Sequence, residues 1–138
     1  MFRLGETFGP IQTPCIDKQH LLDYADASGD QSGIHLDFDK AVEAGFEKEV
    51  VHGMLSMGMI HSAISSFLIG MYTVRSYDAT FVSPLYVNET LFVSGLVEEF
   101  SPVAITLLLE AKDSNNRLII TGTMYLDRVG AGNYAISE

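Results

Sequence analysis

The hydrophobic and polar positions divide the chain into a helical first half and a stranded second half. Residues 2–16 scatter their apolar positions around Pro10 and Pro14 with no helical period, which predicts an extended lead-in holding one short strand. Asp17 is a suitable N-cap. Leu21, Leu22, Ala25 and Ser28 then recur at spacings of three and four, predicting a helix over 18–28 that Gly29 closes in the left-handed conformation. Asp37 is placed to cap a second helix over 38–44, with Phe38, Ala41 and Val42 as its buried stripe and Gly45 as its stop. Residues 46–52 read as a short connection. A third helix is predicted over 53–71. Met54, Leu55, Met57, Met59, Ile60, Ile64, Phe67, Leu68 and Ile69 make it apolar on nearly every side, as in a helix wrapped by other elements.

From Thr73 the period changes to two. Strands are predicted over 73–82, 90–100, 103–113 and 117–128, with Asp113-Ser114-Asn115-Asn116 as a hairpin turn between the last two. Along the last strand Leu118, Ile120, Gly122, Met124 and Leu126 alternate with Ile119, Thr121, Thr123 and Tyr125. Both faces are fairly apolar, which suits a sheet facing a helix on one side and a partner on the other. Residues 130–138 read as a loose tail. Helices followed by antiparallel strands give an α+β layout, and a curved sheet around the apolar helix is the natural way to bury it. Periodicity alone does not choose among α+β folds.

Length and composition narrow the function. A chain of 138 residues is most simply one domain, residues 1–138. No run approaches the roughly 18 apolar residues of a spanning helix, so no membrane partner is expected. The start lacks a basic stretch followed by an apolar run, so no secretory leader is expected. Cys15 is the only cysteine and cannot form an internal disulfide, which points to the cytoplasm. The formal net charge of −10 argues against nucleic acid and anionic membrane surfaces. It also disfavours an acidic protein partner, because like charges slow encounter.

One stretch carries candidate chemistry. It opens Ser28-Gly29-Asp30-Gln31-Ser32-Gly33-Ile34-His35 and closes Val51-His52-Gly53-Met54. Gly29 and Gly33 bracket Asp30 with residues that allow positive φ, which reads as a turn. An acid and an imidazole held there can share one water and move protons. Gly53 opens the apolar helix, whose first N–H groups have no internal partner and can face a developing oxyanion. The plain alternative is a turn Asp bonding nearby backbone and a His filling a loop, and spacing leaves both open. Metal ligation by Asp30, His35, His52 and His61 is not expected, because no His-x-x-x-His or paired cysteine is present.

This stretch resembles the MaoC-like, (R)-specific enoyl-CoA hydratases, whose signature is Ser-Gly-Asp-x-Asn-Pro-Ile-His, an acidic helix, then His-Gly-Met. Ser32 and Gly33 stand where the family has Asn and Pro. Phe81-Val82-Ser83-Pro84-Leu85 also resembles the family's Phe-x-x-Pro-Val strand. The resemblance implies a hot-dog fold, an antiparallel sheet curved around the long helix. It implies reversible addition of water to a 2-enoyl thioester in fatty-acid metabolism, with Asp30 and His35 sharing the water and the Gly53 N–H holding the thioester oxygen. Ser28, His52, Met54 and Ser62 are the substrate-binding candidates. For Ser28 and His52 a structural role is the plainer reading, and for Ser62 a core hydroxyl bonding the preceding turn. No cofactor is expected beyond the coenzyme A of the substrate. Acyl carrier protein is the less favoured carrier, and a homodimer or higher homo-oligomer is expected. The alternatives are a hot-dog subunit that binds or scaffolds an acyl thioester with little chemistry, and a thioesterase. The thioesterase is disfavoured because no acid lies between Gly53 and Tyr77.

Overall fold

The computed structural model describes residues 2–130, so the tail expected from 131 onward lies outside the described residues. In chain order these form β1 (Thr7–Gln12), α1 (Lys18–Ser28), α2 (Gly33–Leu36), α3 (Phe38–Glu43), α4 (Gly53–Leu68), β2 (Tyr72–Phe81), β3 (Phe92–Phe100), β4 (Ala104–Lys112) and β5 (Leu118–Arg128). The strands make one curved antiparallel sheet in the order β1-β3-β4-β5-β2, and α4 lies against its inner face. This is the hot-dog fold, in the α+β class.

Local signals placed most of the elements. Asp17 accepts from the His20 N–H while the His20 ring accepts from the Asp17 N–H, a reciprocal cap that starts α1. Gly29, at φ 80°, ends α1 in the left-handed conformation. Asp37 caps α3 through the Lys40 N–H. Asp113 turns the β4–β5 hairpin, its Oδ1 accepting from the Asn115 and Arg117 N–H groups. In the sheet, Gly95 stands opposite Leu109, which stands opposite Gly122. The Phe8 ring occupies the space a side chain at Gly95 would take.

The burial observed along three helices departs from the even stripes that spacing alone suggests. In α1 only Leu21 and Ala25 are buried, and Leu22 and Ser28 are exposed. In α3 only Ala41 is buried, while Phe38 and Val42 face outward. Both helices pack chiefly against short α2 rather than on the sheet, so each has only a narrow face to bury. The third departure concerns α4. Ser56, Ile60, Ile64 and Leu68 are buried at four-residue steps, and the last three join Val93, Leu107 and Met124 in the core. Met54, His61 and Ser62 on the other side are exposed, and Phe67 is partly exposed at the flank, its ring edge-on to Phe2 and Phe8. One five-stranded sheet covers one side of a helix, so a single chain does not wrap it.

A stretch read as a mere connection turns out to organise the site. The β2–β3 crossover runs from one sheet edge past two strands, and its residues 85–87 lie antiparallel to 49–51. The Val51 N–H donates to the Leu85 carbonyl (2.8 Å) and the Val87 N–H to the Glu49 carbonyl (3.0 Å). On the opposite side the Val50 N–H donates to the Ile34 carbonyl (2.9 Å). The segment leading into α4 is therefore extended backbone tied on both flanks.

The two sides of α4 should respond differently to truncation. Ile64→Ala should cost about 2–5 kcal/mol of stability by leaving a core cavity. Ser62→Ala should stay within about 0.5 kcal/mol. Urea unfolding monitored by circular dichroism measures both.

Candidate active site

Asp30 follows Gly29 in the loop between α1 and α2. Its N–H donates to Ser28 Oγ (3.1 Å), so the Ser28 hydroxyl holds the loop backbone. Asp30 Oδ1 accepts from the Ser32 N–H (3.2 Å), an Asx turn. The other oxygen, Oδ2, stands 3.7 Å from His35 Nε2. The Asp30 side chain is 49% exposed and that of His35 only 11%. One Asp30 oxygen thus bonds local backbone and the other faces an imidazole. The reading of Gly33 is corrected. It has no positive φ and is the first residue of α2. The Asx turn bends this loop, and a second left-handed glycine is not needed.

The His35 tautomer follows from its partner. Nδ1 lies 2.6 Å from the Val50 carbonyl, which can only accept, so Nδ1 carries the proton and Nε2 presents a lone pair. Asp30 Oδ2 and His35 Nε2 are then two acceptors face to face. They cannot bond each other directly while His35 is neutral. One water between them can donate an O–H to each and keep its own lone pair free.

His52 supports this pair from beneath. It is 1% exposed, stacks on His35 with ring centres 3.9 Å apart and planes at 23°, and packs against the Tyr24 ring at 4.8 Å. Its Nε2–H donates to the Asp30 backbone carbonyl (3.2 Å), and its buried Nδ1 has no hydrogen-bond partner among the described residues. Burial, reinforced by neighbouring His35, holds its proton affinity below the ordinary histidine value; the bond to the Asp30 carbonyl and the Asp30 charge oppose this. His52 is therefore neutral near pH 7 and positions the Asp30 loop. Asp30, His35 and His52 lie close enough to offer a metal three ligand atoms. The donors are right in kind but wrong in direction. Two nearly parallel stacked rings hold their in-plane lone pairs side by side, and one ring has to turn before both point at one ion.

The third component is the start of α4. His52 is its N-cap and Gly53 its first residue. Among the described residues the N–H groups of Gly53, Met54 and Leu55 have no partner, and the helix dipole adds positive character there. Two hollows meet at this point. One, about 360 Å³, is lined by Tyr24, Ser28, Asp30, His52, Gly53, Met54 and Phe81. The other, about 280 Å³, holds His35, Phe46, Val50, Ser56 and Leu85 around the same Gly53 and Phe81. Asp30 and His35 thus open into different hollows. Ser62 lines neither, since it sits nine residues along α4, about 13 Å by helical rise, on the exposed side. A larger hollow of about 710 Å³ lies along the sheet, lined mainly by residues that alternate away from the core, among them Asp78, Ser94, Leu96, Leu108, Glu110 and Thr123, and contains none of the Asp30, His35 and Gly53 group.

The sequence model of the MaoC like domain matches residues 2–114. The chain belongs to the MaoC-like dehydratase family. Among curated proteins it is 34% identical over 87 residues to the mitochondrial 3-hydroxyacyl-[acyl-carrier-protein] dehydratase of Arabidopsis thaliana, covering 63% of this chain and 51% of that one. It is 34% identical over 86 residues to the enoyl-CoA hydratase ChsH3 of Mycobacterium tuberculosis, covering 61% and 29%. The matched region thus spans about half or less of each relative. Among solved structures, the unliganded R-hydratase PhaJ1 of Pseudomonas aeruginosa superposes with a TM-score of 0.81 at 23% identity, over 92% of this chain and 82% of that one, a likeness of fold. The MaoC-like domain has hydratase and dehydratase homologues, and no helix among its described residues is long and apolar enough to cross a membrane.

Sequence reasoning missed three residues that shape the site. Val50 supplies the carbonyl that sets the His35 tautomer, Tyr24 walls His52, and Phe81 borders both hollows. The Val50-Val51 pair was a usable sign of extended backbone, and the Phe-x-x-Pro resemblance already marked Phe81.

Two predictions follow from this geometry. Gly33 sits where a helix favours proline, Ser32 before it is already extended (φ −56°, ψ 134°), and the Gly33 N–H bonds nothing among the described residues. Only the flexible Lys40 side chain has to move aside. Gly33→Pro should therefore stabilise the protein by about 0.4–1 kcal/mol through the unfolded state, measured by thermal unfolding. Buried neutral His52 should also make stability pH-dependent. Below about pH 6.5 the unfolded chain takes up a proton that folded His52 resists, so stability is lost as pH falls through that window. His52→Gln should flatten this fall relative to the wild type in urea titrations between pH 5 and pH 7.5.

Proposed function

We propose that this MaoC-like domain catalyses reversible (R)-specific hydration of a 2-enoyl-CoA to a 3-hydroxyacyl-CoA in fatty-acid metabolism. The observation that carries the reading is the pair of facing acceptors, Asp30 Oδ2 and His35 Nε2, 3.7 Å apart beside the unpartnered N–H groups of α4. Water held between the pair attacks C3 while one of them takes its proton. The pair returns a proton to C2, so the elements of water add across the double bond. Charge gathers meanwhile on the thioester oxygen, where the Gly53 N–H and the start of the helix stabilise it, a contribution often worth about 3–4 kcal/mol. Water is the only co-reactant, and the reading needs no cofactor. Dehydration is the same path reversed.

The named relatives support both possible carriers, an acyl carrier protein in one and coenzyme A in the other. The net charge of −10 favours coenzyme A. A homodimer belongs to the reading. Strand β2 is a ten-residue sheet edge, and Met54 and Phe67 lie exposed on α4, which a second copy is suited to cover. A second reading, a subunit that binds the thioester without efficient chemistry, is favoured by one observation. Asp30 and His35 open into separate hollows.

The test is hydration of crotonyl-CoA and longer 2-enoyl-CoAs, followed by loss of the conjugated thioester absorbance and by the chirality of the product. Asp30→Asn and His35→Ala should each lower kcat by about 100-fold or more with unfolding midpoints little changed. The double variant should lose far less than the product of the two, because the residues act on one water. A fully active His35→Ala removes the hydratase reading. Tight acyl-CoA binding without turnover by the wild type favours the binding subunit instead.

A further inference from the structure

The Asp30 hollow and the His35 hollow share two residues, Gly53 and Phe81. The Phe81 ring rests on Gly53, and a Cβ built there would lie 3.0 Å from both Cε1 and Cζ of the ring. The ring therefore borders both hollows where they meet, over the N–H proposed to hold the thioester oxygen. Its backbone is fixed. Phe81 ends β2 opposite Ile120, and the next N–H, of Val82, donates to the Ile119 carbonyl (2.8 Å). The side chain is held much less firmly. It is 52% exposed and leans on a residue with no side chain. Exposed side chains change rotamer in picoseconds to nanoseconds, so swinging this ring aside needs no change in the fold.

We infer that Phe81 is a specificity-determining gate between the two hollows, admitting the acyl chain of the substrate to the apolar one. The inference rests on the hydratase reading for the identity of that substrate. A thioester with its oxygen on the Gly53 N–H meets the Phe81 ring that rests there, and its acyl chain has to pass that ring to enter the His35 hollow. Beyond that ring lie Phe46, Val50, Leu85 and Ile120, apolar walls suited to methylene groups. A four-carbon chain ends near the ring. A longer chain has to keep the ring displaced and gains contact with those walls in return. Phe81 therefore acts on the ratio between long and short chains more than on the chemical step.

The test compares wild type and Phe81→Ala on crotonyl-CoA and 2-decenoyl-CoA. The ratio of kcat/KM for the ten-carbon substrate to that for the four-carbon substrate should rise about 10-fold or more in the variant, the scale on which single apolar groups discriminate in pockets. In parallel, calorimetric binding of the non-reacting butyryl-CoA and decanoyl-CoA should show the same shift in ratio. If neither protein hydrates either substrate, the hydratase reading fails, and the binding ratio still decides the gate. An unchanged ratio, an equal loss on both chain lengths, or no binding of either saturated thioester overturns it. Circular dichroism checks the variant's fold, and a wholly structural role for Phe81 leaves the chain-length ratio where it was.

Discussion

The backbone of Val50 is the constraint on which the site depends. Its N–H is committed to the Ile34 carbonyl and its carbonyl to the His35 ring, and its neighbours are laced to the crossover at Leu85 and Val87. A carbonyl so placed cannot rotate away, so it fixes which His35 nitrogen carries the proton. Lys18 adds a second tie, donating to the Leu36 carbonyl at the end of α2 and to Glu49 Oε2 (3.1 Å) at the start of the extended segment. Helices α1 and α2 and the approach to α4 are thus joined around one short length of chain. The pairing of acid and imidazole is a consequence of that joint more than of their separation in sequence.

The site sorts into acceptors on one side and donors on the other. Asp30 and His35 offer lone pairs, while the start of α4 offers unpartnered N–H groups. A polar reactant that gives protons at one end and gathers negative charge at the other is matched by both. His52 contributes by being neutral. Burial keeps His52 uncharged, so the ring stacked at 3.9 Å on His35 brings no second positive charge into the site. Its N–H holds the Asp30 carbonyl, so the flat face and the edge of the His52 ring position His35 and Asp30 together.

What was legible in the sequence was whatever local chemistry decides. The range of α1 could be read because Asp17 and Gly29 mark its ends. The strands fell within one or two residues because the period of two persists along them, and the motif led to Asp30, His35 and Gly53. What was not legible depends on which surfaces meet. Phe38 and Val42 have the spacing of a buried stripe and face solvent, because α3 has only α2 to pack on. Ser62 lies on an apolar helix and yet outside the site, because the sheet claims one side of α4 alone. Gly33 looked like a second left-handed turn residue, and an Asx bond from Asp30 had already made the bend. No rule of spacing reports a competition between a side chain and a backbone conformation for the same turn.

The exposed side of α4 and the half-exposed Asp30 belong to one problem. A carboxylate in contact with bulk water is screened, and the advantage of aimed N–H groups grows as water is excluded. Met54 lines the Asp30 hollow and is 63% exposed, so whatever covers the outer side of α4 also roofs that hollow. In the proposed homodimer a second copy supplies that cover, and assembly and catalysis then share a cause. The apolar residues that leave α4 half-covered in one chain lower the dielectric around Asp30 when two chains meet. On this view the surplus of apolar residues along α4, more than one sheet can bury, is the part of the sequence that completes the site.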